Sequence, residues 1–497
     1  MILKLFENET VLSAKRFERP IERCSAILAW IAVFLFFLTL VTSGLAKGGR
    51  WDLYQAIAMA DRWPENFGYS VGVADWFQPS TPYFPGVSFI ALLFQPFGEF
   101  QVEALLILAS ACVLVLFYIL YLIYSNAGGA WSVHSFFVFA VALSYYVLSP
   151  WLEYAKEFKP DTISLIFFTL GFLIFSNPQR SYKRTALLIS AFFLALLFKQ
   201  QIVAPQLGLA FACLIGKQPV QEKIKDISYI CAAIALALVC IVIIDGGYFY
   251  AILSHVGRDR VSITDAPHQQ LMTSLLWLAV VGFILSGRAF LKNSTLGFKN
   301  YTYLLPSLAW LIACLAGAVN LGGNAGNTAV GLVLLIPVMA RFFETAKPLL
   351  VGLFAVFLAI NFVETINTSN WLSRYKTRIS IDAEIENKIS ELRPDSILAS
   401  GDSYLAIRKS KASRISEIDT WSHIRIGINK KTVPRDGNLL LSTVGPEVVV
   451  CVQGCSVFDT SYSFRPLEHG FKEIQLASTN RRGILFQRTP HPSTSPF

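Results

Sequence analysis

The sequence predicts a mainly α-helical fold, a polytopic transmembrane bundle of about eleven spans followed by a small soluble α/β or α+β domain. Composition carries the first part of this prediction. Of 497 residues, 54% are hydrophobic and only 15% are charged, against about 25% in an ordinary soluble domain. The apolar residues also cluster in repeated runs that end before the C-terminal quarter. We therefore expect residues 1–364 to form the membrane domain and residues 365–497 the soluble domain.

Eleven apolar runs predict the membrane spans. The first, "CSAILAWIAVFLFFLTLVTSGLA", follows basic residues but is longer than the apolar core of a signal peptide, so we interpret it as an uncleaved span. Several later runs are shorter than the roughly 20 residues of a straight span, so the first and last residues of these predicted spans are approximate. The predicted spans are 24–46, 103–124, 131–149, 161–176, 185–198, 202–216, 227–244, 271–286, 301–319, 328–340 and 348–364.

The stretch 83–98, "YFPGVSFIALLFQPFG", decides the sidedness, because it is apolar but short and interrupted by prolines. If it does not cross and the N-terminus is cytoplasmic, the basic loops 177–184 and 217–226 lie inside, as the positive-inside rule requires. If it crosses, both loops move outside. We therefore predict that 83–98 lies at the outer interface, within a first outer loop of residues 47–102. The soluble tail is then on the outer face.

The tail alternates strand-like runs with polar, helix-compatible segments, which favours a small α/β or α+β domain. The strand-like runs are "SILAS", "NLLLSTV", "EVVVCVQ" and "GILFQR". Cys451 and Cys455 lie in this tail. An oxidising compartment would allow them to form a disulfide, whereas two reduced thiols beside a strand are the alternative. The sequence leaves both open.

An acidic and aromatic stretch, "RWDLYQAIAMADRW", follows the first span. The spacing of Leu53, Ile57 and Ala60 predicts one apolar face of a helix. Asp52 stands where an N-cap would. On shape alone, the stretch is typical of an interfacial amphipathic helix. In that interpretation Asp61 is a solvated surface residue.

Charged residues also border two later spans. Asp161 opens a span in "EYAKEFKPD", and Lys199 ends one in "LLFKQQ". Asp161 can simply favour a helix N-terminus, but an unpaired carboxylate beside the hydrocarbon is costly. We therefore expect it to pair with Lys159 or Lys199. Lys199 either snorkels to the interface or is a buried cation that grips a phosphate.

Two predicted outer loops add weaker candidates. His255, Arg258 and Arg260, in "SHVGRDRVS", can clamp a phosphate or be solvated. Asn324, in "NLGGNAGNTAVG", can hydrogen-bond sugar hydroxyls or belong to a tight turn. Neither stretch alone decides between the two interpretations.

The ordered set of these features resembles the GT-C superfamily of membrane glycosyltransferases, closest to the bacterial branch of lipid A aminoarabinose transferase and protein O-mannosyltransferase-like enzymes. Five elements match in order over about residues 24–345, and specificity comes from the set because each motif is short. They are "DLYQAI" with Asp52, "PSTPYFPGVSFIALLF", "KPD" at Lys159–Asp161, "LLFKQQ" with Lys199, and "GGNAGN". The tail carries no such resemblance.

The resemblance implies sugar transfer from a polyprenyl-phosphate donor to a lipid, glycan or protein acceptor at the outer face of a bacterial inner membrane. It implies Asp52 as general base and Asp161 as a second acidic residue. Lys159, Lys199, Arg258 and Arg260 would meet the donor phosphate, and Tyr54 and Asn324 would shape the sugar pocket. Some members use a divalent metal cation and others do not, so Asp52 and Asp161 are the candidate ligands if one binds.

This chain departs from the family at two positions. Many members have an Asp-Glu pair where it has Asp52-Leu53. The aminoarabinose transferase has a lysine where it has Phe84, before Pro85. The second departure puts that phosphate contact in doubt, and Lys199, Arg258 or Arg260 would have to replace it.

Three other functions are alternatives to this one. A transporter or flippase of lipid-linked intermediates would also need many spans, but it often shows internal repeats, and none is visible. An O-antigen ligase or polymerase should have a long outer loop rich in Arg and His, which 245–270 matches only modestly. A purely structural membrane protein is the third. The net charge of +9 is attributed to cytoplasmic Lys and Arg, so no nucleic-acid partner is expected.

Overall fold

A computed structural model describes most of the chain, and it divides into two compact units. The bundle unit comprises the described residues of 1–44, 107–237 and 259–370, and the sheet unit those of 45–106, 238–258 and 371–497. The described residues are 2–48, 51–61, 85–176, 181–216, 218–244, 297–319, 325–343, 348–399, 404–410, 412, 414–417, 445–451, 466–477 and 484–489.

The described helices follow the predicted apolar runs. They are α1 (Ile2–Lys47), α2 (Trp51–Asp61), α3 (Gly86–Leu93), α4 (Gln101–Asn126), α5 (Val133–Tyr146), α6 (Ser149–Ala155), α7 (Pro160–Ser176), α8 (Tyr182–Phe198), α9 (Val203–Ile215), α10 (Val220–Ile244), α11 (Gly297–Val319), α12 (Ala325–Val333), α13 (Ile336–Phe342), α14 (Pro348–Thr368), α15 (Trp371–Leu392) and α16 (Tyr404–Ile407). Ten of the eleven predicted runs coincide with these helices, and 271–286 lies outside the described residues.

Four described helices are long and apolar enough to cross a membrane: Glu22–Lys47, Gln95–Asn126, Val220–Ile243 and the apolar part of Leu349–Leu392. Shorter apolar helices include Pro160–Ser176, Gln200–Ile215 and Tyr303–Gly317. Helix α7 packs against α8, and α9 packs against α11. At about 1.5 Å per residue, the 17 residues of α7 reach about 26 Å, close to the ~30 Å hydrocarbon core. The chain is a multi-pass membrane protein.

Two predicted spans are not single straight helices. The run 131–149 is divided between α5 and α6, which meet at an angle of 95°. The run 328–340 is divided between α12 and α13, with a turn at Leu334 and Leu335. Backbone groups freed by such a turn need partners in a membrane. The Tyr303 hydroxyl donates to Leu334 O at 2.5 Å, and Trp310 Nε1 donates to Val330 O at 3.0 Å.

The sheet unit begins with short helices and ends with a five-stranded sheet. The helix α3 has eight residues, about 12 Å, so it is too short to cross the hydrocarbon by itself. A 3₁₀ helix, Gln95–Phe100, joins it to α4. The length of α3 agrees with the prediction that 83–98 does not span the membrane. Residues 83 and 84 of that stretch lie outside the described part.

The sheet is mixed, in the order β2-β1-β3-β5-β4, where β1 is Ser396–Ala399, β2 is Arg414–Glu417, β3 is Val448–Val450, β4 is Phe471–Ile474 and β5 is Leu485–Arg488. Strand β1 pairs in parallel with β2 and β3, and β5 pairs antiparallel with β3 and β4. Three predicted strands are β1, β3 and β5, while "NLLLSTV" lies outside the described residues. Strands β2 and β4 were not predicted. Cys451, after β3, is disulfide-bonded, which decides between the two states left open for its thiol.

Candidate functional site

A buried ion pair, Asp161 with Lys199, is the centre of the candidate site in the bundle unit. Lys199 Nζ lies 2.8 Å from Asp161 Oδ1, and the two side chains are only 8% (Asp161) and 6% (Lys199) exposed. That oxygen accepts no hydrogen bond within the described part of the chain, so the contact is an ion pair held by charge and distance. Of the two partners predicted for Asp161, the structure selects Lys199. The snorkelling interpretation of Lys199 is wrong, because its ammonium is buried against a carboxylate.

Local sequence places both charges at the same end of a helical hairpin. Asp161 lies in the first turn of α7, directly after Pro160, where proline and acidic residues are both favourable. Lys199 is the residue at which the chain leaves α8, with an extended backbone before the turn 200–202. The two helices are also joined by Ser164 Oγ, which donates to Ala195 O at 2.9 Å. Hairpin packing therefore holds the pair in place.

A small, partly open cleft lies beside the ion pair. It is lined by Trp151, Tyr154, Ala155, Lys159, Asp161, Thr162 and Val330. Trp151 and Thr162 are each 2% exposed, yet Trp151 Nε1 and Thr162 Oγ1 have no hydrogen-bond partner among the described residues. Buried polar atoms of native proteins nearly always have a partner, so unpartnered ones require an explanation. These two atoms are therefore candidate contacts for a ligand that enters the cleft with some local rearrangement.

The turn before α7 positions the remaining cleft residues. Phe158 is buried and has a positive φ of 64°, which is a rare conformation for a bulky residue. Such strain is retained only where the surroundings fix it, and it is frequent at functional sites. The next residue, Lys159, places its Nζ 4.1 Å from the centre of the Tyr154 ring. Lys159 is therefore held at the cleft wall by a cation–π contact, and not by Asp161.

The helix α2 carries Asp52 and Tyr54 in the sheet unit. Helix α2 begins at Trp51, so Asp52 lies in its first turn and not at the predicted N-cap. Leu53, Tyr54 and residues 56–60 are all buried, so the interpretation as an interfacial amphipathic helix is wrong. The Asp52 side chain lies outside the described part, and its role as general base stays a prediction. A Cβ added at Gly48 would lie 3.1 Å from the Tyr54 hydroxyl, which shows how near the two residues are.

The prediction for Asp61 is wrong as well. Its carboxylate is 16% exposed and forms an ion pair of 2.6 Å with Arg408, a residue of the C-terminal tail. A single sequence gives no signal for this contact, since 347 positions separate the two residues. A second tail contact was also missed, in which Arg378 Nη2 lies 3.4 Å from Glu103 Oε1.

Three predicted phosphate- or sugar-binding residues, Arg258, Arg260 and Asn324, lie outside the described residues. Within the part of the chain that is described, no three His, Cys, Asp or Glu side chains form a metal-binding group. The metal prediction, which involves Asp52 and Asp161, stays untested.

The two units together define a class of protein, a polytopic helical membrane protein that carries a small mixed-sheet domain. Among solved structures, the chain is similar to ArnT from Cupriavidus metallidurans bound to undecaprenyl phosphate, with a TM-score of 0.56 at 11% identity over 93% of this chain and 98% of that chain. It is also similar to ArnT from the same organism in the apo state, with a TM-score of 0.52 at 12% identity over 86% of this chain and 92% of that chain.

No protein-family profile and no curated protein sequence matches the chain. The similarity to ArnT is therefore one of structure over nearly the full length, at an identity of 11–12%. It confirms the expected fold class, a mainly α-helical polytopic bundle with a small C-terminal domain that carries a sheet.

Proposed function

We propose that the protein is a membrane glycosyltransferase that moves a sugar from a polyprenyl-phosphate donor to a lipid, glycan or protein acceptor. The single observation that carries the proposal is the cleft beside Asp161 and Lys199, with its unpartnered polar atoms in a GT-C fold. An acidic group, a cation and free hydrogen-bonding groups are what a phosphorylated sugar requires. The binding of undecaprenyl phosphate by ArnT supports the donor class.

The proposed reaction assigns one step to each group. Asp52 takes the proton of an acceptor hydroxyl while that oxygen bonds to the anomeric carbon of the donor sugar. The bond from this carbon to the phosphate oxygen breaks, and the polyprenyl phosphate leaves with the electron pair. Lys159 and Lys199, with Arg258 and Arg260, stabilise the negative charge of the leaving group. Trp151 Nε1 and Thr162 Oγ1 would hydrogen-bond the sugar or phosphate oxygens.

The outer, periplasmic face of a bacterial inner membrane is the proposed location, with a cytoplasmic N-terminus. The disulfide at Cys451 supports it, since disulfides persist in oxidising compartments. The distribution of Lys and Arg between the predicted loops points the same way. A reporter fused after residue 400 should therefore be active only on the outer side, and one fused after residue 180 only in the cytoplasm.

Whether the proposed transfer requires a divalent cation is a separate question. Carboxylate oxygens are suitable ligands for Mg²⁺ or Mn²⁺, and a cation at Asp161 Oδ1 would replace the Lys199 ammonium, which lies 2.8 Å from that oxygen. Such a cation would neutralise charge on the donor phosphate. Chelation followed by re-addition of single metals, with transfer as readout, decides whether one is needed.

The test uses purified protein and a polyprenyl-phosphate sugar in nanodiscs. We expect Asp52→Asn to lower kcat by about 10²- to 10⁴-fold, as removal of a general base does, while thermal unfolding stays unchanged. The matched control is Asp395→Asn, which removes an exposed carboxylate in the tail. Full activity in Asp52→Asn would contradict the assignment of the base. Vectorial movement of the donor without transfer would favour the flippase alternative.

A further inference from the structure

The last residue of α2 is fixed by a residue of the C-terminal tail. Arg408 Nη2 donates to Asp61 Oδ1 at 2.6 Å, and Arg408 Nη1 donates to Gln101 Oε1 at 2.9 Å. The Arg408 side chain is 25% exposed and that of Asp61 16%. One planar guanidinium therefore bridges the end of α2 and the start of α4 through charge-assisted bonds, which are about twice as strong as bonds between neutral groups.

The partners of Arg408 are themselves held in place. Gln95 Nε2 donates to Asp61 Oδ1 at 3.1 Å, and Gln101 Nε2 donates to Ala91 O at 2.7 Å. The network thus includes the C-terminal part of α3 and the 3₁₀ helix after it. Arg408 itself directly follows α16, whose residues Ala406 and Ile407 are buried in the core of the sheet domain.

We propose that Arg408 is a positioning residue, through which the C-terminal sheet domain sets the placement of α2 and hence of Asp52. This inference rests on the proposed function, because it assumes that Asp52 is the base. Helix α2 has 11 residues, about 16 Å, and is buried at nearly all the positions described, so its two ends belong to one continuous hydrogen-bonded element. A shift at Asp61 is then passed to the turn that carries Asp52. A misplacement of about 1 Å at a reacting group can cost 10²-fold in rate.

The neighbouring residue provides a matched contrast. Lys409 Nζ lies 3.1 Å from Glu99 Oε1 and 3.3 Å from Glu386 Oε1, but its side chain is 56% exposed and that of Glu99 80%. Exposed ion pairs of this kind contribute little. Lys409→Ala removes one positive charge at the adjacent position without touching α2. It therefore separates loss of charge from loss of the Arg408 network.

The experiment compares Arg408→Ala, Lys409→Ala and the charge swap Asp61→Arg/Arg408→Asp in full-length protein in nanodiscs. Three quantities are measured: hydrogen exchange of residues 51–61 and of α7, kcat normalised to folded protein, and donor KM. We expect Arg408→Ala to accelerate exchange in 51–61 but not in α7, and to lower kcat about 10- to 100-fold with donor KM changed less than about twofold. The charge swap should restore part of the protection of 51–61 from exchange and part of kcat. Lys409→Ala should match the wild type in both quantities.

The outcomes separate this inference from the proposed function. Unchanged exchange in 51–61 and unchanged kcat in Arg408→Ala overturn the positioning role. If Arg408→Ala fails to fold, the charge-swap variant is the test. A folded swap variant with wild-type hydrogen exchange in 51–61 supports the Asp61–Arg408 contact. Exchange in 51–61 as fast as in unfolded chain overturns the positioning role of Arg408. A third outcome is that the wild type transfers no sugar while Arg408→Ala still accelerates hydrogen exchange in 51–61 and not in α7. In that case the proposed function is wrong, but Arg408 still positions α2.

Discussion

Two of the ion pairs among the described residues, Asp161–Lys199 in the bundle unit and Asp61–Arg408 in the sheet unit, differ in burial and in the hydrogen bonds around them. The first joins the ends of two consecutive helices and is almost fully buried, with an acidic oxygen that accepts no hydrogen bond among the described residues. The second joins distant parts of the chain, is more exposed, and is reinforced by Gln95 and Gln101. Hydrogen bonds from neighbouring side chains fix the geometry of the second pair, whereas the described residues supply none to Asp161 Oδ1 in the first.

The largest expected effect tests the buried pair. Asp161→Asn or Lys199→Gln alone leaves an uncompensated buried charge, so each should lower the free energy of unfolding by about 3–5 kcal/mol. The double variant Asp161→Asn/Lys199→Gln removes both charges and should recover much of this loss. Thermal unfolding in detergent measures it. If the pair also serves a ligand, the double variant folds but transfers no sugar; recovery of transfer with folding would make the pair merely structural.

A second, smaller effect tests how tightly the sheet unit is built around α2. Gly48 has φ of 75°, and a Cβ there would collide with Arg378 Nη1 and lie 3.1 Å from the Tyr54 hydroxyl. Gly48→Ala should therefore cost about 2–3 kcal/mol, the sum of backbone strain and the collision. Gly470→Ala is the control, because Gly470 has φ of 78° but its nearest atom, Thr489 Oγ1, is 3.7 Å away. Equal losses in the two variants would show that the space around Tyr54 is not tight.

The smallest effect concerns pH and the Arg378–Glu103 contact. Burial, with Glu103 nearby, raises the pKa of Asp382 to about 6, although Arg378 opposes the shift. Because the folded pKa lies above the unfolded value of about 4, this group favours the fold below pH 4, and the contribution is lost as the pH rises to about 6. Asp382→Asn should then stabilise the protein by about 1 kcal/mol at pH 7.

The measurement for Asp382 is thermal unfolding of wild type and Asp382→Asn between pH 4 and pH 8. The difference between the two should grow between pH 4 and pH 6 and then stay constant. A difference that shrinks over this interval would mean that the carboxylate is stabilised by Arg378 after all.

The sequence predicted the bundle and the pairing of Asp161 with Lys159 or Lys199 for the same physical reason. A charge beside a long apolar run is costly in a membrane, so it stands out in one dimension and demands a nearby partner. Asp61 has no such signal, because it ends a helix of mixed composition and its partner is in the tail. Its burial depends on tertiary packing that no periodicity encodes. The turn at Leu334 and Leu335 was not predicted either, because an apolar run has the same composition whether or not the helix is continuous.

That turn has a consequence for how this protein can diverge. The carbonyls of Leu334 and Val330 depend on donors from another helix, the Tyr303 hydroxyl and the Trp310 indole. Loss of either donor leaves a backbone carbonyl without a hydrogen bond in an apolar setting. A straight helix through 328–340 would give that carbonyl a backbone partner again. We therefore expect lineages that keep the interrupted helix to keep a donor at both positions, and lineages that lose Tyr303 to show compensating changes at Leu334 and Leu335.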